Sequence, residues 1–158
     1  MIFSLILHVV MGIEILFYVI PVRSDDTWFG WSSFAEKAGN IKKNYPDAFI
    51  FSADDYKTAS VLNFFLDEPV YSKNVVGQRA LQYDFIGTDL QKLNGRDAIY
   101  IDSNPRFTDL KNENAAVPSY YYNYFSQIIP LEPILVEKNG RVERKFSVFL
   151  CKDYHANK

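Results

Sequence analysis

The chain opens with a long apolar segment, and this segment constrains the fold more than any other feature. Residues 2–20 contain only three clearly polar side chains, those of Ser4, His8 and Glu14. At about 1.5 Å of rise per residue, roughly 20 helical residues cross the ~30 Å hydrocarbon layer of a bilayer. Pro21 then ends the helix because proline lacks the amide hydrogen that a continuing helix needs. The pattern predicts a transmembrane helix over residues 1–22 and a separate folded domain over residues 23–158.

Glu14 places a condition on this prediction. A charge near the middle of a lone spanning helix costs about 2.5–3.5 kcal/mol. Ser4, His8 and Gly12 are spaced by four and share one stripe of the helix. Such a polar side favours contact with other membrane helices over contact with lipid all round. The alternative is a buried core helix of a soluble protein. A cleaved signal peptide fits poorly, since no positive amino-terminal region and no small-residue cleavage site is found before Arg23.

Composition excludes several classes of function. The 158-residue chain has a formal net charge of -2 and no basic block, so a nucleic-acid partner is not expected. Its one cysteine, Cys151, excludes an internal disulfide framework and a multi-cysteine metal site. The two histidines, His8 and His155, stand at opposite ends of the sequence. No glycine-rich phosphate loop, nucleophile elbow or zinc spacing occurs, so we expect no cofactor, no metal and no nucleotide-binding fold.

Residues 23–158 alternate between helical and strand patterns. Apolar residues recur at spacings of three and four from Trp28 to Ile41, which predicts a helix that Pro46 closes. Short apolar runs predict buried strands at residues 48–53, 70–72 and 98–101. Further helices are expected after Asp54 or Asp55, capped by Thr88 at residues 90–93, and after Asn104, where Pro105 suits the first helical position.

The carboxyl-terminal part predicts a different arrangement. Strand patterns at residues 134–137 and 146–150 flank Asn139-Gly140, which is the strongest short hairpin signal. Arg141, Arg144 and Lys145 are expected to form a solvated face beside that turn. The whole pattern therefore predicts an α/β fold: a transmembrane helix, then a small three-layer α/β domain with a mostly parallel sheet and a carboxyl-terminal antiparallel β-hairpin.

The first candidate site is the segment of Asp54, Asp55 and Tyr56, where a strand ends and a helix begins. In open parallel sheets, ligands bind outside the carboxyl ends of the strands. Two carboxylates there could hold a sugar hydroxyl or a cation. The simpler interpretation is that one aspartate caps the helix, because a short carboxylate accepts from the free amides of the first turn.

The second candidate site is the polar and aromatic stretch of Gln82, Tyr83 and Asp84. Glutamine, tyrosine and aspartate can bind sugar hydroxyls while an aromatic face covers the sugar ring. The alternative is a loop whose polar groups bind its own backbone, and the sequence does not separate the two. The aromatic run at residues 120–125 leaves a similar choice, between the headgroup level of a membrane and packing on the sheet.

The layout of the motifs resembles a known family. The apolar helix is followed by DDTWFGW at residues 25–31, ADDYKTASVLNFFL at residues 53–66 and QYDF at residues 82–85. The tail from Phe125 to Tyr154 adds FSQIIPLEPILV and FLCKDY. Together they resemble the carboxyl-terminal end of bacterial membrane glycosyltransferases related to dolichyl-phosphate-mannose protein mannosyltransferase and to the lipid A aminoarabinose transferase, that is, glycosyltransferase family 39 and its neighbours.

The resemblance implies a function. Such enzymes take a hexose or pentose from a polyprenyl-phosphate carrier and transfer it to a lipid, glycan or protein acceptor on the extracytoplasmic side of the inner membrane. Their key carboxylate lies in the first extracytoplasmic loop, which has no counterpart here, so no catalytic residue is assigned and this chain alone is expected to be inactive. Its expected partners are membrane lipid, the polyprenyl-phosphate-linked sugar and the remaining transmembrane helices of the parent enzyme.

Two points stay open. Arg23 follows the apolar segment, and the positive-inside rule taken alone favours a cytoplasmic domain, whereas the resemblance favours an extracytoplasmic, periplasmic one. The alternative function is a membrane-anchored, non-catalytic module that binds a glycan or a protein.

Overall fold

The computed structural model describes residues 1–20, 28–54, 56–86, 89–104 and 113–156. These ranges hold three α-helices: α1 (Ile2–Phe17), α2 (Trp31–Asn44) and α3 (Lys57–Phe65). They hold six strands: β1 (Phe49–Phe51), β2 (Val70–Tyr71), β3 (Ala98–Ser103), β4 (Phe125–Pro130), β5 (Ile134–Lys138) and β6 (Arg141–Tyr154). Short 3₁₀ turns lie at Lys73–Val76, Leu81–Asp84, Leu90–Leu93 and Ser119–Asn123. The expected boundary at residues 22 and 23, and the expected helix starts at Thr88 and Pro105, lie outside the described residues.

One mixed sheet organises the domain. The strands follow the order β2-β1-β3-β6-β4, and β5 also pairs with β6. β1 pairs in parallel with β2 and β3, whereas β3, β4 and β5 all pair with β6 in antiparallel register. The expectation of a mostly parallel sheet is therefore wrong. The long strand β6 is the cause, because β4 and β5 pair with its two halves and β3 spans its middle.

The two faces of the sheet are covered differently. On one face, Phe34 of α2 and Leu62 of α3 pack on Ile50, Ile99 and Val148 of the strands. On the other face, the 3₁₀ turns supply the cover, with side chains that include Val75, Leu93 and Tyr121. A three-layer domain was expected to carry α-helices on both faces of the sheet. Among the described residues, α-helices cover only one face. The opposite layer is built of 3₁₀ turns and aromatic rings.

The expectation of a transmembrane helix is also wrong. Among the residues that the structure describes, no helix has both the length and the apolar character needed to cross a bilayer. α1 has 16 residues, a length of about 24 Å at the usual rise per residue. It ends at Phe17, because Tyr18 takes a left-handed conformation with φ of 46°. The carboxylate of Glu14 then accepts hydrogen bonds from the amides of Val19 and Ile20, at 2.9 and 3.0 Å.

The α1 helix contacts the sheet through its carboxyl end. None of its residues is buried. Tyr18, directly after it, is 3% exposed and stacks on the ring of Phe29 with centroids 4.5 Å apart. The Nζ of Lys138 on β5 donates to the carbonyl oxygens of Phe17 and Tyr18, where the helix dipole is negative. The same ammonium group lies 5.0 Å from the centre of the Tyr18 ring.

The charged residues of β6 correct a further expectation. Arg141 is exposed as predicted, but Arg144 and Lys145 are buried, as is Glu143. The guanidinium carbon of Arg144 lies 3.5 Å from the centre of the Trp31 ring, so the cation stacks on the indole face. These residues form part of a central strand and not a solvated face.

Candidate functional site

The carboxyl ends of β1 and β3 bring two carboxyl groups together. The parallel register sets Phe51 opposite Tyr100, so the residues that follow, Ser52 and Asp102, reach the same edge of the sheet. The Ser52 Oγ lies 2.9 Å from Oδ1 of Asp54 and 3.0 Å from Oδ1 of Asp102. Ser52 is 1% exposed and both aspartates are largely covered. The sequence therefore located one carboxylate of this cluster, Asp54, and missed the other.

The carboxyl group of Asp102 has a raised pKa. Burial raises the pKa of the Asp102 carboxyl to about 7, and the neighbouring charge of Asp54 adds to this effect. Hydrogen bonds from the Tyr100 hydroxyl at 2.8 Å and the Ala53 amide at 3.2 Å act in the opposite direction. Burial likewise raises the pKa of the Tyr100 hydroxyl, so this group remains a donor. Asp102 can thus hold or release a proton near neutral pH.

Asp54 mainly stabilises the start of α3. Its Oδ1 accepts from the Thr58 amide at 3.2 Å and its Oδ2 accepts from the Thr58 hydroxyl at 2.5 Å. These bonds satisfy donors in the first turn of α3, which is the capping role considered above. Burial raises the pKa of Asp54 despite these bonds. Asp55 lies outside the described residues, and Tyr56 is 45% exposed immediately before α3.

Two residues of the second candidate stretch, Tyr83 and Asp84, also form hydrogen bonds within the domain. Tyr83 is 9% exposed, and its hydroxyl lies 3.1 Å from Nδ2 of Asn63 on α3. Both carboxylate oxygens of Asp84 accept from the Ala80 amide at 3.0 Å. Gln82 is exposed. The two candidate stretches reach different parts of α3: Asp54 contacts Thr58 in the first turn, and Tyr83 contacts Asn63 in the second. Ligand binding by these residues stays a prediction.

The arrangement limits the chemistry available. Asp54 and Asp102 contact neighbouring donors, so the pair suits the storage of a proton better than the coordination of a metal. Within the described part of the chain, no three His, Cys, Asp or Glu side chains are grouped to hold a metal ion. Burial raises the pKa of the Cys151 thiol and makes it a poor nucleophile.

A groove between α2 and α3 is the second feature that a ligand could use. It has a volume of about 450 Å³ and is lined by aromatic rings and hydroxyl groups, from Trp28, Trp31, Ser32, Ser60, Phe64 and Phe65. Trp28 is 51% exposed and Phe64 is 82% exposed. No periodicity in the sequence predicted this groove, because its residues come from two helices and the segment before α2.

Comparison of the chain with protein-family models, with curated proteins and with solved structures finds no match.

Proposed function

We propose that this chain is an accessory domain of a membrane glycosyltransferase. The enzyme takes a hexose or pentose from a polyprenyl-phosphate carrier, and the carboxylate that drives transfer belongs to another part of it. The motif resemblance over residues 25–31, 53–66, 82–85 and the tail supports the family. The role of this domain is to cover the reaction cleft or to engage the acceptor on the extracytoplasmic side of the inner membrane.

The observation that carries the proposal is the exposure of α1. Its apolar side chains lie on every side of the helix, and they are exposed along its whole length, as for Leu5 at 67%, Val10 at 55% and Ile15 at 57%. An exposed apolar surface of this size is normally covered by other structure. Lys138 holds its carboxyl end against β5. The helix thus extends from the domain as an element for another part of the parent enzyme to cover.

The interior of the domain supports an accessory role. The carboxyl groups of Asp54 and Asp102 bind neighbouring hydroxyl and amide groups. A transferase base needs an oxygen that is free to reach the acceptor hydroxyl. The chemistry is therefore assigned to the rest of the enzyme, and the domain contributes surfaces.

The test uses the complete enzyme in membranes and follows sugar transfer from a polyprenyl-phosphate donor. In Val10→Lys, a charge enters the middle of α1 and must be buried without a partner. We expect transfer to fall at least tenfold, which corresponds to about 1.4 kcal/mol. Tyr122→Lys is the matched control, since Tyr122 is 58% exposed and lies far along the chain, and it should retain transfer within twofold. Equal transfer by both variants would refute the proposal.

The side of the membrane is tested separately. Protease added to spheroplasts should cleave an extracytoplasmic domain, and a tag inserted after Asn139, an exposed turn residue, gives the readout. Cleavage only after lysis would place the domain in the cytoplasm and reverse this part of the proposal.

The aromatic groove favours a second candidate, a non-catalytic module that binds glycan. Aromatic faces pack on the apolar faces of sugar rings, and the hydroxyls of Ser32 and Ser60 could bond to sugar hydroxyls. Soluble hexose and pentose oligosaccharides should then quench the fluorescence of the two tryptophans, and Trp28→Ala should abolish saturable binding. A flat titration in the wild type would eliminate this candidate.

A further inference from the structure

The contacts of Ser52 with Asp54 and Asp102 need one more proton than two ionised carboxylates provide. The Ser52 Oγ is within 3.0 Å of an oxygen of each aspartate. A serine hydroxyl has one hydrogen, so it can donate to only one of them. The other contact then sets a lone pair of Oγ against a carboxylate oxygen, in a covered place where repulsion is poorly screened. A proton on one carboxyl converts that repulsion into a hydrogen bond.

The surrounding donors favour Asp102 as the holder of this proton. In addition to its contact with Ser52, Asp54 accepts from the amide and hydroxyl of Thr58 and from the backbone of Ser103. Asp102 accepts from the Tyr100 hydroxyl and the Ala53 amide. Asp54 therefore has more donors to stabilise its negative charge. The resulting chain runs from the Asp102 carboxyl to Ser52 Oγ and from the Ser52 hydroxyl to Asp54.

We propose that Asp54 and Asp102 share one proton through Ser52, and that this proton holds together the end of β1, the end of β3 and the first turn of α3. Ser52 and Ala53 follow β1, Asp102 is on β3, and Asp54 bonds to Thr58 in the first turn of α3. When the proton is lost, two negative charges face the same hydroxyl, and Ser52 and Ala53 lose their contacts with Asp102 at the end of β3. The domain then has a pH-dependent switch at the carboxyl edge of its parallel strands.

The groups around the pair are consistent with a switch of this kind. Among the residues that the structure describes, Tyr100 on β3 contacts Asp102, and Tyr121 lies behind it with its hydroxyl 3.5 Å from that of Tyr100. The α3 helix presents the uncharged Thr58 to Asp54. On β6, the residue opposite Asp102 is the uncharged Ser147, and the buried Lys145 lies two positions before it on the same face of the strand. Burial, followed by the charge of Asp54, raises the pKa of Asp102 to about 7, so proton loss from the folded domain falls within the physiological range.

Carboxyl NMR tests the shared proton. The protein is labelled with ¹³C at the aspartate carboxyl carbons. One carboxyl carbon of the pair should have the chemical shift of a protonated carboxyl at pH 5, and this shift should change to that of a carboxylate near pH 7. In Ser52→Ala the bridge is lost, and the two resonances should titrate with less mutual dependence. The proposal is overturned if every aspartate carboxyl has lost its proton by pH 5 in the wild type.

Amide hydrogen exchange tests the release. After correction for the intrinsic rate, protection of the Ala53 and Thr58 amides should fall at least about tenfold between pH 5 and pH 7, since each pH unit shifts a one-proton equilibrium tenfold. Both amides should exchange faster than that of Leu150, which is paired within the sheet. In Asp102→Asn, which cannot ionise, the fall should vanish. Exchange of all three amides at one common rate would show that no local release occurs.

Discussion

The buried carboxyl of Asp102 makes the stability of this domain depend on pH in a direction opposite to that of most aspartates. The folded pKa of about 7 lies above the ordinary value of 3.8. Between these values the folded state holds a proton that the unfolded chain has released, so the free energy of unfolding falls as pH rises from about 4 to 7. A difference of about three pKa units, at 1.36 kcal/mol each, sets an upper value of about 4 kcal/mol.

Asp102→Asn is the perturbation that isolates this dependence. The amide cannot ionise, and its NH₂ can donate to Ser52 while its oxygen accepts from Tyr100. The weak contact with the Ala53 amide, at 3.2 Å, is lost, which lowers stability equally at every pH. We expect the variant to lose less stability than the wild type on going from pH 4.5 to pH 8, by about 2–3 kcal/mol, because coupling to Asp54 divides the effect between the two groups.

Urea unfolding followed by near-UV circular dichroism measures this difference at half-unit pH intervals, with the slope against urea checked for constancy. Asp67→Asn, at an exposed aspartate after α3, is the matched control and should follow the wild-type curve. Parallel stability curves for Asp102→Asn and the wild type would refute the reasoning.

Three further predictions concern packing. Phe34→Ala should cost about 3–5 kcal/mol in urea unfolding, because Phe34 is fully buried and stacks on Phe146 with centroids 3.8 Å apart; a cost below 1 kcal/mol would contradict this core. Gly77→Ala should cost about 1–3 kcal/mol, since φ is 71° and the new Cβ meets the Tyr124 hydroxyl, and Tyr124→Phe should restore part of the loss. Cys151 should resist iodoacetamide at pH 8 until denaturant is added, because burial raises its pKa; rapid alkylation of native protein would show that the strand opens.

Local patterns predicted the central elements of the fold. The apolar spacing after Trp28 and the stop at Pro46 match α2. The apolar run at residues 48–53 contains β1, and the run at residues 98–101 forms the first four residues of β3. The Asn139-Gly140 turn joins β5 and β6 with both residues at positive φ, as such a hairpin requires. These features depend on neighbours within a few positions, and this is why the sequence alone was enough.

The pairing of the sheet depends on distant residues, and here the sequence was misleading. Charges at Arg144 and Lys145 indicated a solvated face, but the planar guanidinium of Arg144 is stacked on Trp31, more than one hundred positions earlier. A charged side chain can be buried where an aromatic face and backbone carbonyls receive it. With those charges taken as exposed, the apolar pattern predicts a strand of only five residues, 146–150, whereas β6 has 14. The pattern therefore underestimates the antiparallel half of the sheet.

The opening segment shows how hydropathy can predict apolar character and still give the wrong length. Its residues are apolar, as hydropathy predicts, but the helix ends early. Tyr18 takes a left-handed conformation and packs on Phe29, and the carboxylate of Glu14 accepts from the amides of Val19 and Ile20. From hydropathy, Glu14 is an unfavourable charge in a membrane that favours contact with other helices. In the structure its carboxylate satisfies backbone donors at the helix end, a role that the helical wheel cannot indicate because it treats the helix as continuing.

The carboxyl pair explains why a site can be half visible in a sequence. Asp54 stands at a junction of strand and helix, where a carboxylate has a local reason to be noticed. Asp102 becomes its neighbour through the register that sets Phe51 beside Tyr100, which puts the residues that follow each strand position at one edge. Since parallel strands bring their carboxyl ends together, a polar residue that ends one apolar run should be examined with those that end every other run. Applied here, that rule selects Ser52 and Asp102 together from the sequence alone, and Asp54 follows two positions after Ser52.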